Sequence, residues 1–315
     1  MVTDSDGRHS HGTFSDLRDY LDPGDLLIVN ESATLPASLP AVARTGVLTL
    51  NLSTKYGERL WLAEPRWSPS RPGPLPLQAG DRLLVAGVEA RLVAQYPGIE
   101  RLWFVAFQEP IEPAMALVGR PIRYAYLDND YPLAAYQTIF SRVPGSAEMP
   151  SAARPFTQPD LDGLTARGVL IERIVLHTGV SSLEVEVDDV ENQTLYPEPF
   201  AVSEETALAV NAAKQRGNRV IAVGTTVVRA LESAWDGEKV AAARGFTRVY
   251  VHPARGIHVI DGLLTGLHDP ATSHLAMLYA IASQQIIRSA YEEAVNERYL
   301  WHEFGDSHLI LRAKD

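Results

Sequence analysis

Two threonines, an arginine and a glutamate carry the first chemistry legible in this chain. Thr225, Arg229 and Glu232 fall four and three residues apart, the spacing that puts side chains on one face of a helix. Thr226 stands beside the first of them. Immediately upstream, Val220-Ile221-Ala222-Val223 is an apolar run that reads as a buried strand, and Gly224 permits a sharp turn out of it. Thr225 or Thr226 is then expected to cap the helix. The unit offers a strand end, a helix N-terminus with partial positive charge, and a hydroxyl, a guanidinium and a carboxylate on one wall. Such a wall suits an anionic group, which the helix dipole attracts and the arginine fork binds at two points. Glu232 is expected to orient Arg229. Without any chemistry, the same residues read as a capped helix with one ion pair.

The elements around this unit alternate. A short helix is expected within Ser10–Leu21, capped by Thr13 or Ser15, then a turn at Asp22-Pro23-Gly24-Asp25 and a buried strand at Leu26–Val29. From Val42 to Val118 the texture becomes short alternating runs between turns, with a Pro/Gly-rich stretch from Pro69 to Pro76. Beyond it come a helix at Gln158–Arg167, a strand at Val169–Leu176 and a helix at Ser203–Arg216 closed by Gly217. They are followed by strands at Phe246–Val251 and Gly256–Thr265, a long helix at Ser273–Ile287, a second helical stretch at Ser289–Glu297 and a last strand at Leu309–Leu311. The expected fold is an α/β main domain with a mixed sheet, built from residues 1–41 and 119–315, plus an inserted all-β barrel-like domain at residues 42–118.

Composition narrows the function classes. The 315 residues are 46% hydrophobic, ordinary for a chain with a sizeable core. No apolar run reaches about 18 residues, so no transmembrane helix is expected. The polar start Met1–His9 lacks the apolar stretch of a signal peptide. With no cysteine there is no disulfide, thiol nucleophile, iron–sulfur cluster or cysteine-ligated zinc. The net charge of −11 argues against nonspecific nucleic-acid binding, while leaving room for a local basic patch. No dinucleotide-binding glycine motif, phosphate loop, nucleophile elbow or HExxH motif occurs, and Ser181-Ser182 has no flanking base. A cytoplasmic soluble protein is the simplest expectation, with a monomer favoured but the oligomeric state open, and the histidines lack the spacing of a zinc site.

The order Gly224-Thr225-Thr226, Arg229, Leu231-Glu232-Ser233 resembles the GTT-x-x-R-x-LES signature of the S-adenosylmethionine:tRNA ribosyltransferase-isomerases of queuosine biosynthesis. Other segments resemble the same family in the same order. They are His11-Gly12-Thr13-Phe14 with Pro23–Asn30, Tyr136–Ser141 with Pro144-Gly145, and Leu176-His177-x-Gly179. Lys214–Thr226, Asp261–Thr265 with His268 and Pro270, and Tyr299 with Phe304-Gly305-Asp306 complete the series. Several polar blocks depart from the family pattern. Asn30–Leu39 lacks its arginines, Pro155 replaces a histidine, and Gln193–Glu198 keeps the glutamate of a histidine-rich block but neither histidine. The family's first strand before the HGTF block is largely absent.

The resemblance implies an α/β domain carrying an inserted β-barrel, and a reaction with S-adenosylmethionine as substrate rather than cofactor. The ribosyl part would move to 7-aminomethyl-7-deazaguanine in tRNA and isomerise to give epoxyqueuosine, releasing adenine and methionine. Such chemistry needs a base for the C5′ proton, a donor near the purine and a site closed to water. His268 in its loop, His177 after a buried strand, and Glu198 in an exposed loop among prolines are the catalytic candidates. Thr225, Thr226, Arg229, Glu232 and Gly179 are the substrate-binding candidates. Two alternatives stay open: the lost arginines and acidic balance fit a paralogue with a small-molecule acceptor, and the lost histidines fit a non-catalytic nucleoside-binding protein on the same scaffold.

Overall fold

The run Leu26–Asn30 is buried at every residue, because both faces of its sheet are covered. The computed structural model describes residues 1–124, 127, 129–180, 195–269 and 272–312. Its strands are β1 (Val2–Thr3), β2 (His9–Ser10), β3 (Leu26–Asn30), β4 (Ser32–Thr34), β5 (Ser38–Ala43), β6 (Gly46–Lys55), β7 (Leu60–Arg66), β8 (Arg82–Val85) and β9 (Val88–Tyr96). They continue with β10 (Ile99–Phe107), β11 (Val143–Ser146), β12 (Leu170–Leu176), β13 (Glu198–Val202), β14 (Val220–Val223), β15 (Ala243–Thr247), β16 (Gly262–Gly266) and β17 (Ser307–Leu311). The helices are α1 (Glu112–Val118), α2 (Gln158–Ala166), α3 (Glu204–Gln215), α4 (Thr225–Ser233), α5 (Ser273–Ile281) and α6 (Gln284–Asn296).

Nine strands form the main sheet in the order β15-β13-β12-β3-β14-β16-β17-β1-β2. The central four, β12, β3, β14 and β16, are parallel. Antiparallel β13 and β15 extend one side and β17 the other, so the sheet is mixed. Successive side chains of a strand point to opposite faces. Leu26, Ile28, Val220 and Ala222 therefore pack with α3, α4, α5 and Ile287 of α6 on one face. Leu27, Val29, Ile221 and Val223 pack with Leu17, Phe140, Phe156 and Leu164 on the other. This is a parallel core covered on both sides, as near-continuous apolar strands demand.

The second unit is a closed antiparallel barrel in the order β10-β7-β6-β5-β8-β9, filled by Leu50, Leu52, Trp61, Leu92 and Val105 among others. Closure leaves no unpaired edge. The barrel is fastened to the residues that follow β12. Val180 joins its core, Val180 N donates to Ser53 Oγ at 2.9 Å, and Tyr56 OH donates to the Pro197 carbonyl at 3.0 Å.

Several expected boundaries move for identifiable reasons. β15 ends at Thr247 rather than running to Val251, because Thr247 Oγ1 takes the Val249 amide and Arg229 takes the Val249 carbonyl. The strand expected from Gly256 begins only at Gly262, since the amides of His258 and Val259 donate to Glu232 instead of a neighbouring strand. The long helix expected from Ser273 breaks at Ala282-Ser283, where Ala282 is extended and Ser283 caps α6 by accepting from Ile286 N. β5 and β13 were not expected, each carrying a proline that weakens the strand signal. A first strand before His11 does exist: Val2–Thr3 pairs in parallel with Leu309–Ile310. Ser181, Ser182, Gln193 and Pro270 lie outside the described residues.

Candidate active site

Parallel strands deliver side chains to a common end, and here the C-terminal ends of β12, β14 and β16 converge on a cavity of about 690 Å³. Thr178 follows β12, Gly224 follows β14, and Thr265 and Gly266 close β16, and all four line it. The barrel side contributes Arg66, Ser70 and Pro72. Two helices open onto the space, α4 through Thr225 and Thr226 and α5 through Thr272, Ser273 and His274.

The start of α4 differs from expectation in one respect. Its N-cap is Gly224, at φ +96°, and no side chain caps the first turn. Thr225 and Thr226 are instead the first two helical residues, and Thr226 Oγ1 accepts from Asn30 Nδ2 at 3.2 Å. The uncapped turn leaves backbone amides facing the cavity end of the helix, which is where an anion is favoured. At Gly224 an added Cβ would stand 3.3 Å from Ala152 Cβ, so backbone conformation and close approach both favour glycine there.

Arg229 reaches the same wall, and its partner is not Glu232. Arg229 Nη1 donates to Glu198 Oε2, and Nε donates to the Val249 carbonyl at 3.0 Å. Nη2 is buried without a hydrogen-bond partner among the described residues. Glu232 lies behind the wall with a fully buried side chain. It accepts from Arg255 Nη1 at 2.7 Å, His258 N at 2.8 Å and Val259 N at 3.0 Å, with His258 Nδ1 at 3.0 Å. Burial opposes its ionisation, but the bonds from His258, Arg255 and the two amides outweigh it and hold the carboxyl below its ordinary range. One helical face thus serves two ends: Thr225 and Arg229 toward the cavity, Glu232 toward the loop before β16.

Glu198 is not in an exposed loop. It is 3% exposed, opens β13 and lines the cavity. Its Oε1 accepts from Gly179 N at 2.7 Å while Oε2 holds Arg229. Gly179 is off the cavity wall but required behind it. A Cβ there would lie 2.4 Å from both Ser53 Oγ and Tyr196 OH. His177 is also off the wall. It follows the interior strand β12, lies against Gly145, and its Nδ1 is 2.7 Å from Ser32 Oγ, which pairs with Ser146 Oγ at 2.6 Å. Burial lowers its pKa.

His268 does line the cavity. Nε2 is 2.8 Å from Thr265 Oγ1, its amide donates to Tyr291 OH at 3.1 Å, and its ring stacks on His274 with centroids 4.7 Å apart at 14°. Burial, then the neighbouring histidines, holds it well below the ordinary histidine range. His274 is pushed down to about 4 by burial and by Arg229. Both imidazoles are therefore neutral at neutral pH. Sequence reasoning missed His274, and it missed Tyr250, whose buried hydroxyl has no partner among the described residues and is pushed up to about 12 by burial. His274 carried a weak signal, being the second residue of a helix that starts near His268.

A family model described as "Queuosine biosynthesis protein" matches residues 1–310. An S-adenosylmethionine:tRNA ribosyltransferase-isomerase from Anaeromyxobacter sp. (strain Fw109-5) is 37% identical over 321 residues, covering 99% of this chain and 92% of that one. A protein of the same name from Thermus thermophilus is 37% identical over 311 residues, covering 96% and 89%. The crystal structure of the S-adenosylmethionine tRNA ribosyltransferase from Thermotoga maritima superposes with a TM-score of 0.53 at 26% identity, covering 99% of this chain and 91% of that one.

Proposed function

Because the chain belongs to the queuosine biosynthesis protein family, we propose that its cavity carries out the reaction in its relatives' name. It is an enzyme of the S-adenosylmethionine:tRNA ribosyltransferase-isomerase type, moving the ribosyl part of S-adenosylmethionine to 7-aminomethyl-7-deazaguanine in tRNA. The observation that carries this assignment is the wall of Thr225, Thr226 and Arg229 on a cavity at the ends of the parallel strands. The methionine carboxylate belongs at the uncapped start of α4, where it would give Arg229 Nη2 the acceptor that the described residues do not supply. Glu198 acts by holding Arg229, since each of its oxygens already accepts one bond. Its buried negative charge also suits the sulfonium.

His268 is the group we assign to the C5′ proton. It is neutral, so it can accept a proton, and Thr265 fixes its orientation. His177 and Gly179 support the site from behind the wall. Residues 42–118 are read as the inserted unit and 1–41 with 119–315 as the catalytic one. No helix among the described residues is long and apolar enough to cross a membrane, and a tRNA-modifying role supports a cytoplasmic enzyme.

Incubation with S-adenosylmethionine and precursor-bearing tRNA should release adenine and methionine in equal amounts, measured chromatographically. Bound nucleoside without adenine release would reject the transferase reading and leave the fold intact. His268→Gln should lower kcat by roughly 100-fold, the usual weight of one acid–base group, with S-adenosylmethionine affinity little changed. An unaltered kcat would remove His268 from the proton step.

A further inference from the structure

Two aromatic–guanidinium groupings that the ribosyl chemistry does not use lie next to residues that line the cavity. On the barrel side, the Arg71 guanidinium carbon lies 5.6 Å from the Trp67 ring centroid, and the neighbouring Ser70 and Pro72 line the cavity. Trp67 is fixed by its Nε1 donating to the Pro74 carbonyl at 3.1 Å. On the sheet side, the Phe304 ring takes three neighbours. The Arg154 guanidinium carbon is 4.8 Å away, Tyr131 stacks at 5.0 Å and 30°, and the cavity-lining Tyr136 meets it edge-on at 5.3 Å. His302 and Glu303, adjacent to Phe304, line the cavity, as do Ser151 and Ala152 just before Arg154. Arg71 and Arg154 are exposed, and Tyr131 is 41% exposed.

Aromatic faces beside guanidinium groups are what unpaired nucleotides need: the faces stack bases of any sequence, and the cations meet phosphates. With a net charge of −11, the protein cannot hold RNA by a general basic surface, so its phosphate contacts must be local. A nucleotide that reacts inside a cavity must also leave its stack, and its neighbours then need support at the entrance.

We infer that these two groupings clamp unpaired nucleotides of the RNA acceptor on either side of the one entering the cavity. Trp67 and Arg71 act from the barrel rim, and Tyr131, Phe304 and Arg154 from the sheet rim. The inference rests on the RNA acceptor of the proposed function and adds where that acceptor docks.

The test is tRNA binding by fluorescence anisotropy across a salt series, using the full-length protein and Arg71→Ala, Arg154→Ala and Tyr131→Ala variants. Each arginine variant should weaken binding and flatten the log–log salt slope by about 1. Tyr131→Ala should weaken binding roughly tenfold without changing the slope. Melting temperature and S-adenosylmethionine binding, read in parallel, should stay at the parent values. Single-stranded RNA should compete better than a duplex of equal length. Unchanged tRNA affinity and slope in an Arg71→Ala/Arg154→Ala double variant, or equal competition by duplex, would overturn the clamp. The two readings separate cleanly: rim variants that lose tRNA in a protein releasing no adenine keep the clamp and reject the transferase, and the converse does the reverse.

Discussion

Arg229 shows what a single side chain must reconcile here. It lines the cavity while tied to Glu198 and the Val249 carbonyl, with Nη2 unpartnered among the described residues. A lysine keeps the charge but cannot offer three donors in one plane. Arg229→Lys should therefore raise KM for S-adenosylmethionine by roughly 10- to 100-fold, the weight of a hydrogen bond to a charged group, with kcat less affected. Steady-state kinetics would check it, and an unchanged KM would detach Arg229 from the methionine end. Residue-scale reading of the sequence found Arg229, Thr225, Thr226, Glu198 and His268, which all line the cavity, but it misjudged partners. Glu232 is on the same helical face as Arg229 yet bonds Arg255 and His258, because helical spacing says which residues share a face and not which loop lies opposite it.

Among the elements, the turn from β14 into α4 does most to shape the site. Gly224 holds φ +96° and ψ 153° as the N-cap, a region almost exclusive to glycine that costs other residues about 1–3 kcal/mol, and its Cβ position is within 3.3 Å of Ala152. Gly224→Ala should thus lower the melting temperature by several degrees, as ~1–3 kcal/mol implies for a chain of this kind, and weaken substrate binding with it. Calorimetry would report the first and titration the second. A variant as stable as the parent would show that this turn tolerates a side chain. The β14–α4 unit was legible beforehand because an apolar strand, a glycine and an amphipathic helix are written in local sequence. β13 was not, since Glu198-Pro199 reads as a loop until β12 and β15 are found on either side of it.

The molecule as a whole brings buried histidines from distant segments to one end of the sheet. His274 is pushed down to about 4 and His308 to about 3, both chiefly by burial, and His268 well below its ordinary range. In the unfolded chain each would titrate near 6.5. Depressed folded values mean that their contribution to stability is complete above about pH 6.5. It is lost as the pH falls toward 4 and then 3, because the unfolded chain binds the protons that the folded one refuses. Each group contributes up to ~1.4 kcal/mol per pH unit within its window. Melting temperatures should hold level from pH 7.5 to about 6.5 and fall steadily from there to 4.5, and His274→Gln should flatten the decline. A flat profile in the parent protein would mean that these imidazoles take up protons while folded. Reading along the chain was enough for most of the strand and helix grammar, for the presence of a β-barrel and for the family, because local pattern and ordered motifs are linear properties. Folding settled which carboxylate meets Arg229, the burial of Glu198 and the stacking of His268 on His274, because pairing and desolvation depend on segments that meet only after the sheet and barrel have closed around them.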